Sequence, residues 1–284
     1  MQMNKGKQVM GWCCFAFSVI LFLHQGLYLI LHLKWRVEYA DDRLFYLLTI
    51  FIVVFATVAL ILLMELKRNG KAFVLGIATI FILLHGVLLF RHMKDINELV
   101  SLSPDRKTYF VLKQDRQTGE TVYYRPYFGP FVKPKETLPF PMKGDAKVKW
   151  IEHDIVAATY HAEDDSIHQF IGTYGDRGEG SSYTNVALSF PGTWKGGDLT
   201  LTSTTEGLIL QRDHEVERYT WENVVQFGTL AVVLTENDEA QWTIALGEDF
   251  ISHENDPEPP AGSIILYEAT DQDHEPVPLT LSSP

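Results

Sequence analysis

"LFYLLTIFIVVFATVALILLM", residues 44–64, contains no charged side chain. At a rise of about 1.5 Å per residue it reaches about 30 Å as a helix, the thickness of the hydrocarbon core of a bilayer. A helix of a soluble bundle keeps a polar stripe toward water, and this segment has none. Lipid offers no partners to backbone N–H and C=O groups, so a chain that crosses it here must do so as a helix.

Working outward, two further runs have the same character. "FAFSVILFLHQGLYLILHL" lies within a span from Gly11 to Leu33, and "AFVLGIATIFILLHGVLLF" covers Ala72 to Phe90. The sequence therefore predicts a transmembrane domain over 1–95, with helices at about 11–33, 44–64 and 72–90. Lys5 and Lys7 imitate the basic start of a signal peptide. The apolar run is too long for one, and "WRVEYADDRL" lacks a small-x-small cleavage site, which predicts an uncleaved signal anchor. Cys13 and Cys14 read as small apolar packing residues, and with no other cysteine there is no disulfide framework. Orientation is weakly specified. Lys5, Lys7, Lys67, Arg68 and Lys71 lie on one side, and Lys34, Arg36, Arg43, Arg91 and Lys94 on the other. The tight "ELKRNGK" loop favours an inside N-terminus, which puts residues 101–284 outside the cell membrane.

Charge divides the chain at the same place. Residues 1–100 hold 10 Lys/Arg against 6 Asp/Glu, whereas the rest holds 14 against 30, and no Lys or Arg follows Arg218. So acidic a region repels nucleic acid and anionic headgroups, so the expected partners are the bilayer and another membrane or envelope protein, not nucleic acid.

Beyond a connector at 96–108, the periodicity shifts from helix to strand. "TYFVLKQD" and "TVYYRPYF" flank a Gly-containing turn. "DIVAATYHAEDDSIHQFIGTY" reads as a hairpin turning at Asp164-Asp165, and "TLAVVLTENDEAQWTIAL" as another turning at Asn237-Asp238. "DLTLTSTTEGLILQRDHEVERYTW" gives three short strands. The expectation is an all-β domain over 109–250, a sandwich or barrel-like fold, followed by a loosely held acidic tail over 251–284 with one strand at "SIILYE". Residues 196–246 are similar to the strand-rich half of a pleckstrin-homology-like domain. That fold closes with a C-terminal helix, which "HENDPEPPAGS" cannot supply, so no family is assigned. "YYRPYFGPFVKPKETLPFP", residues 123–141, carries five prolines and six aromatics. It reads as a long loop, packed on the β core or lying at the membrane interface.

Four histidines invite functional readings. His24 and His85 sit at equal depth in the first and third spans, which run in the same direction. Such residues face the bundle interior and hydrogen-bond between helices, or they ligate a haem or metal. A two-residue turn at Asp164-Asp165 pairs residue i with 329 − i, which sets His161 directly opposite His168 as a candidate zinc pair. "TYGDRGEGSSYTN" is glycine-rich, yet the "YTNVALSF" that follows reads as strand, and there is no Gly-Lys-Ser/Thr. It is a β–β loop in which Asp176, Arg177 and Glu179 are the candidate ligand contacts. No G-x-S-x-G, HExxH or Cys/His pairing points to catalysis. The sequence therefore predicts a non-enzymatic binding or accessory module on a membrane anchor, with no cofactor. The alternatives are a haem or metal redox protein and a membrane-tethered hydrolase using β-domain carboxylates.

Overall fold

The computed structural model describes residues 5–175, 177, 185–251 and 258–283. Three helices long and apolar enough to cross a membrane come first: α1 Lys5–Trp35, α2 Arg43–Leu63 and α3 Arg68–Asp95. A two-residue strand, β1 Glu38–Tyr39, lies between α1 and α2. The remaining described chain is β-rich, with a four-residue helix α4 (Val186–Ser189) and a 3-10 turn at Trp221–Asn223. The chain divides into two compact units. The first joins residues up to Val100 with Val111–Thr137, and the second joins Ser101–Phe110 with the chain from Leu138 onward.

In the first unit, α1 and α2 form a close antiparallel pair. The buried residues of α1 are Gly11, Ser18, Gln25 and Tyr28, and the first three recur every seventh position on one face. Gly11 lets the helices approach: a Cβ there would lie 2.7 Å from Leu63. Ser18 Oγ donates to the Ile52 carbonyl at 3.0 Å. Small and hydrogen-bonding residues hold such seams because lipid tails are as apolar as leucine and give no hydrophobic drive to pair. In contrast, α3 buries only Ala78.

Most of a five-stranded sheet, in the order β1-β5-β4-β3-β2, also belongs to this unit. Its other strands are β2 Ile96–Leu102, β3 Tyr109–Asp115, β4 Thr121–Phe128 and β5 Phe131–Thr137. Two expectations change here. The connector at 96–108 contains β2, which starts where α3 stops: Ile96 is already extended, and its N–H still caps the His92 carbonyl. The proline-rich stretch expected as a loop is largely the β4–β5 hairpin, with Gly129 at φ 53°. Pro126 lies beyond the residues of β4 that pair with β3, and Pro134 beyond those of β5 that pair with β1. Each proline therefore sits where one side of the ladder needs no N–H donor.

The second unit holds a three-stranded sheet of β6 Lys143–Glu152, β7 Ile155–His161 and β8 Ile167–Thr173. It also holds a nine-stranded sheet built from β9 Gly192–Gly196, β10 Leu199–Ser203, β11 Gly207–Arg212, β12 Glu215–Thr220, β13 Val224–Phe227, β14 Ala231–Glu236, β15 Glu239–Leu246, β16 Ser263–Glu268 and β17 Val277–Ser283. Its order, β12-β11-β10-β9-β17-β16-β15-β14-β13, brings the chain nearly round a barrel. The 3-10 turn joins the two edge strands. The tight β14–β15 turn has Asn237 and Asp238 both at positive φ, as a two-residue hairpin turn requires.

The interior is filled by Trp194, Leu201, Leu210, Val232, Ile244 and Leu266, among others. The residues between them on β14–β16, including Ala231, Val233, Ala245, Ile265 and Tyr267, form a second core with Ile155, Ala157 and Ile171 of the three-stranded sheet. Strands buried on both faces explain the near-continuous apolar runs "LAVVL" and "SIILY". The stretch beyond residue 251 is not merely a loose tail. It supplies β16 and β17, and β17 closes the ladder between β9 and β16. One further difference is local: "VALS", expected as strand, is the single turn α4.

Candidate functional site

A buried polar cluster lies in the first unit, at the end of the helices. Lys113 projects from β3 with its side chain only 6% exposed. Its Nζ donates to Glu38 Oε2 at 2.7 Å, to Asp42 Oδ2 at 2.7 Å and to the Tyr39 carbonyl at 2.9 Å. It also lies 4.7 Å from the Tyr124 ring centroid. Three acceptors saturate an ammonium group, which is what a buried lysine requires. Burial pushes the Asp42 carboxyl above its ordinary range, against the pull of Lys113.

His92, in the last turn of α3, points at the same place. Its Nε2 is 3.2 Å from Glu98 Oε1 and 3.8 Å from Asp42 Oδ2. Glu98 Oε1 also accepts the Asp42 backbone N–H at 3.0 Å. Asp42, His92 and Glu98 thus present ligand-type atoms all within 4.8 Å of one another. Below them, Gln25 Nε2 donates to the Phe45 carbonyl and to Thr49 Oγ1, both at 2.9 Å, and Gln25 Oε1 accepts the Tyr39 hydroxyl at 2.7 Å. Burial raises the Tyr39 hydroxyl to about 12, so it remains a donor.

The histidines singled out by sequence have other surroundings. The His24 ring stacks on Phe131 at 5.7 Å. His85 stacks on Phe81 one turn earlier, and its Nδ1 is 3.1 Å from the Phe81 carbonyl. Among the described residues, Gln25, beside His24, and Ser18 make the interhelical hydrogen bonds.

His161 and His168 do not face each other. The observed register pairs residue i with 328 − i, matching His161 with Ile167 and Tyr160 with His168. The hairpin loop has three residues, not two, and Asp165 takes the left-handed position at φ 69°. A shift of one residue sends the two imidazoles to opposite faces. His168 is buried, stacked 3.9 Å from Phe140, and burial lowers its pKa. His161 Nδ1 donates to the Asp165 carbonyl at 3.0 Å, and its Nε2 lies 2.8 Å from Asp271 Oδ2. These two partners raise its pKa.

Arg177 is tied into the fold. Its guanidinium forks onto Asp154 at 2.6 and 3.0 Å, and its Nε donates to the Gly247 carbonyl at 2.7 Å. Asp176 and Glu179 lie outside the described residues. Close by, Glu152, His153 and Glu248 form a second group of ligand-type atoms within 4.8 Å, with Glu248 exposed.

A cleft of about 410 Å³ opens at the seam of the nine-stranded sheet, where β12 and β13 fail to pair. Ala187, Leu188, Trp221, Val224 and Val232 line it, with the amides of Asn185 and Gln226. Among the described residues, no ionisable side chain lines it. Glu217 of β12 faces elsewhere in the wall, where Trp242 Nε1 donates to it at 2.9 Å and the Tyr219 hydroxyl donates to the same oxygen.

These features define a class: three helices long and apolar enough to cross a membrane, followed by a β-rich region containing a nearly closed barrel-like sheet. Compared with known family models, curated proteins and solved structures, the chain matches none.

Proposed function

We propose that this protein is a non-enzymatic binding or accessory module of the cell envelope, held in the cell membrane by an uncleaved signal anchor and two further spans. The β-rich region lies on the extracytoplasmic side and engages another membrane or envelope protein. The observation that carries this reading is the seam cleft. It is concave and apolar, and among the described residues its polar lining groups are two amides, a chemistry suited to holding a side chain or a strand and not to transferring a proton or activating a nucleophile. Leu188, at the cleft, is 65% exposed, as an unfilled contact residue would be.

The test is a photocrosslinking amino acid placed at Leu188 in the full-length protein in intact cells, with Glu163 at the β7–β8 hairpin tip as control. An adduct of defined mass at 188, absent at 163 and abolished by Trp221→Ala, is expected. No adduct at 188, or equal adducts at both positions, overturns the proposal. Protease digestion of intact cells checks the sidedness: loss of the β-rich region is expected, and its full protection refutes the placement.

A further inference from the structure

We propose that Asp42, His92 and Glu98 form a structural binding site for a divalent transition-metal ion, Zn²⁺ by the geometry, which staples the end of α3 to the start of α2. This stands apart from the seam cleft and from the binding role argued above.

Zinc binds imidazole nitrogen and carboxylate oxygen at about 2.0–2.2 Å in a tetrahedron, whose edges are then about 3.4 Å. The His92–Glu98 and His92–Asp42 separations, 3.2 and 3.8 Å, bracket that edge. The donors come from three separate elements: the residue preceding α2, the last turn of α3, and β2. Their side chains are well enclosed, with Glu98 6%, His92 18% and Asp42 19% exposed.

Glu38, Asp42 and Glu98 bring three carboxylates to one enclosed place, against the single fixed positive charge of Lys113, which contacts Glu38 and Asp42, while Glu98 lies against His92. Uncompensated charge in such a setting is costly. A dication bound through neutral His92 balances the remaining two. Lys113 then acts as an outer partner, gripping Asp42 Oδ2 and fixing the carboxylate for the metal, the usual support behind a metal ligand.

The helix α3 buries only Ala78 along its length, so packing alone fixes it weakly. A metal bond between its final turn and the start of α2 adds to the hydrogen bond that Glu98 accepts from the Asp42 N–H.

The experiment uses full-length protein in detergent, stripped with chelator and dialysed against Zn²⁺. One Zn²⁺ per chain is expected, with affinity reduced at least tenfold by His92→Gln and by Glu98→Gln, and unchanged by His153→Gln in the Glu152, His153 and Glu248 group. Co²⁺ loaded into the unsubstituted protein gives the strong visible bands of a tetrahedral ion, a readout that needs no variant to fold. Absence of stoichiometric Zn²⁺, a weak octahedral Co²⁺ spectrum, or equal loss from the His153 variant each overturns the proposal. Failure at Leu188 with zinc bound would sink the binding role alone.

Discussion

Gln25 in the first unit and Trp194 in the second are both buried, yet they hold their surroundings by opposite means. Gln25 makes three hydrogen bonds, to α2 and to β1, inside a largely apolar helical pair. Trp194 is fully buried among leucines, isoleucines and aromatics, and its indole N–H spends itself on the adjoining Phe190 and Pro191 carbonyls. The difference follows from the solvent each faces. Water drives apolar side chains together, so the nine-stranded sheet is stabilised by filling its interior. Lipid does not, so the helical pair is specified by close approach at Gly11 and by polar contacts that have no other partner.

The sharpest way to break this contrast is Trp194→Ala. It removes the largest fully buried side chain of the barrel, and a loss of about 3–5 kcal/mol is expected. Urea unfolding followed by near-ultraviolet circular dichroism measures it. A loss below about 1 kcal/mol would mean that the interior is not the principal support.

Next in size is Lys113→Met. Removing one partner of a buried ion pair costs about 3–5 kcal/mol, and because Glu38 and Asp42 keep 24% and 19% exposure, about 2–3 kcal/mol is expected here. Adding Glu38→Gln to the same chain should recover part of the loss, since it removes an orphaned charge. If the double variant is the less stable of the two, the cluster is held by packing and not by charge. Gln25→Leu should cost less, about 1–2 kcal/mol for its three bonds, seen as lowered thermal stability in detergent. An unchanged melting temperature would show that the polar seam does not specify the helical pair.

The sequence disclosed these regions unequally, for physical reasons. The spans were legible because a charge-free run long enough to cross a bilayer is seldom compatible with a water-facing helix. The hairpins were legible wherever Asn, Asp or Gly marked the turn. Register at Asp164-Asp165 was not, because the same residues serve two- and three-residue loops, and one position of slip relocates His161. The central place of β17 was hidden by its polar flanks, since "VPLTLSS" buries only Leu279. The Lys113 cluster was hidden by distance along the chain. His92 was visible as a histidine at a helix end, but its partners Asp42 and Glu98 come from other elements, and Lys113 lies 71 residues from Asp42. Nothing in local spacing foretells that convergence.

The smallest expected effect turns on the two hairpin histidines. Burial holds the folded pKa of His168 below its ordinary 6.5, so the unfolded chain takes up the proton first. Its contribution is therefore complete above pH 6.5 and declines as the pH falls from there toward the folded value. His161 runs the other way: Asp165 and Asp271 raise its folded pKa. It stabilises below pH 6.5, and that support disappears as the pH rises through the folded value. The two histidines therefore act in opposite directions on acidification. His168→Phe removes the acid-side loss and leaves the His161 gain. The variant's melting temperature should therefore hold or rise between pH 7.5 and pH 5.5 relative to the native protein, by no more than about 4 °C. If His168→Phe sharpens the loss on acidification instead, His168 is charged in the folded state and its stacking on Phe140 is that of a cation on a ring.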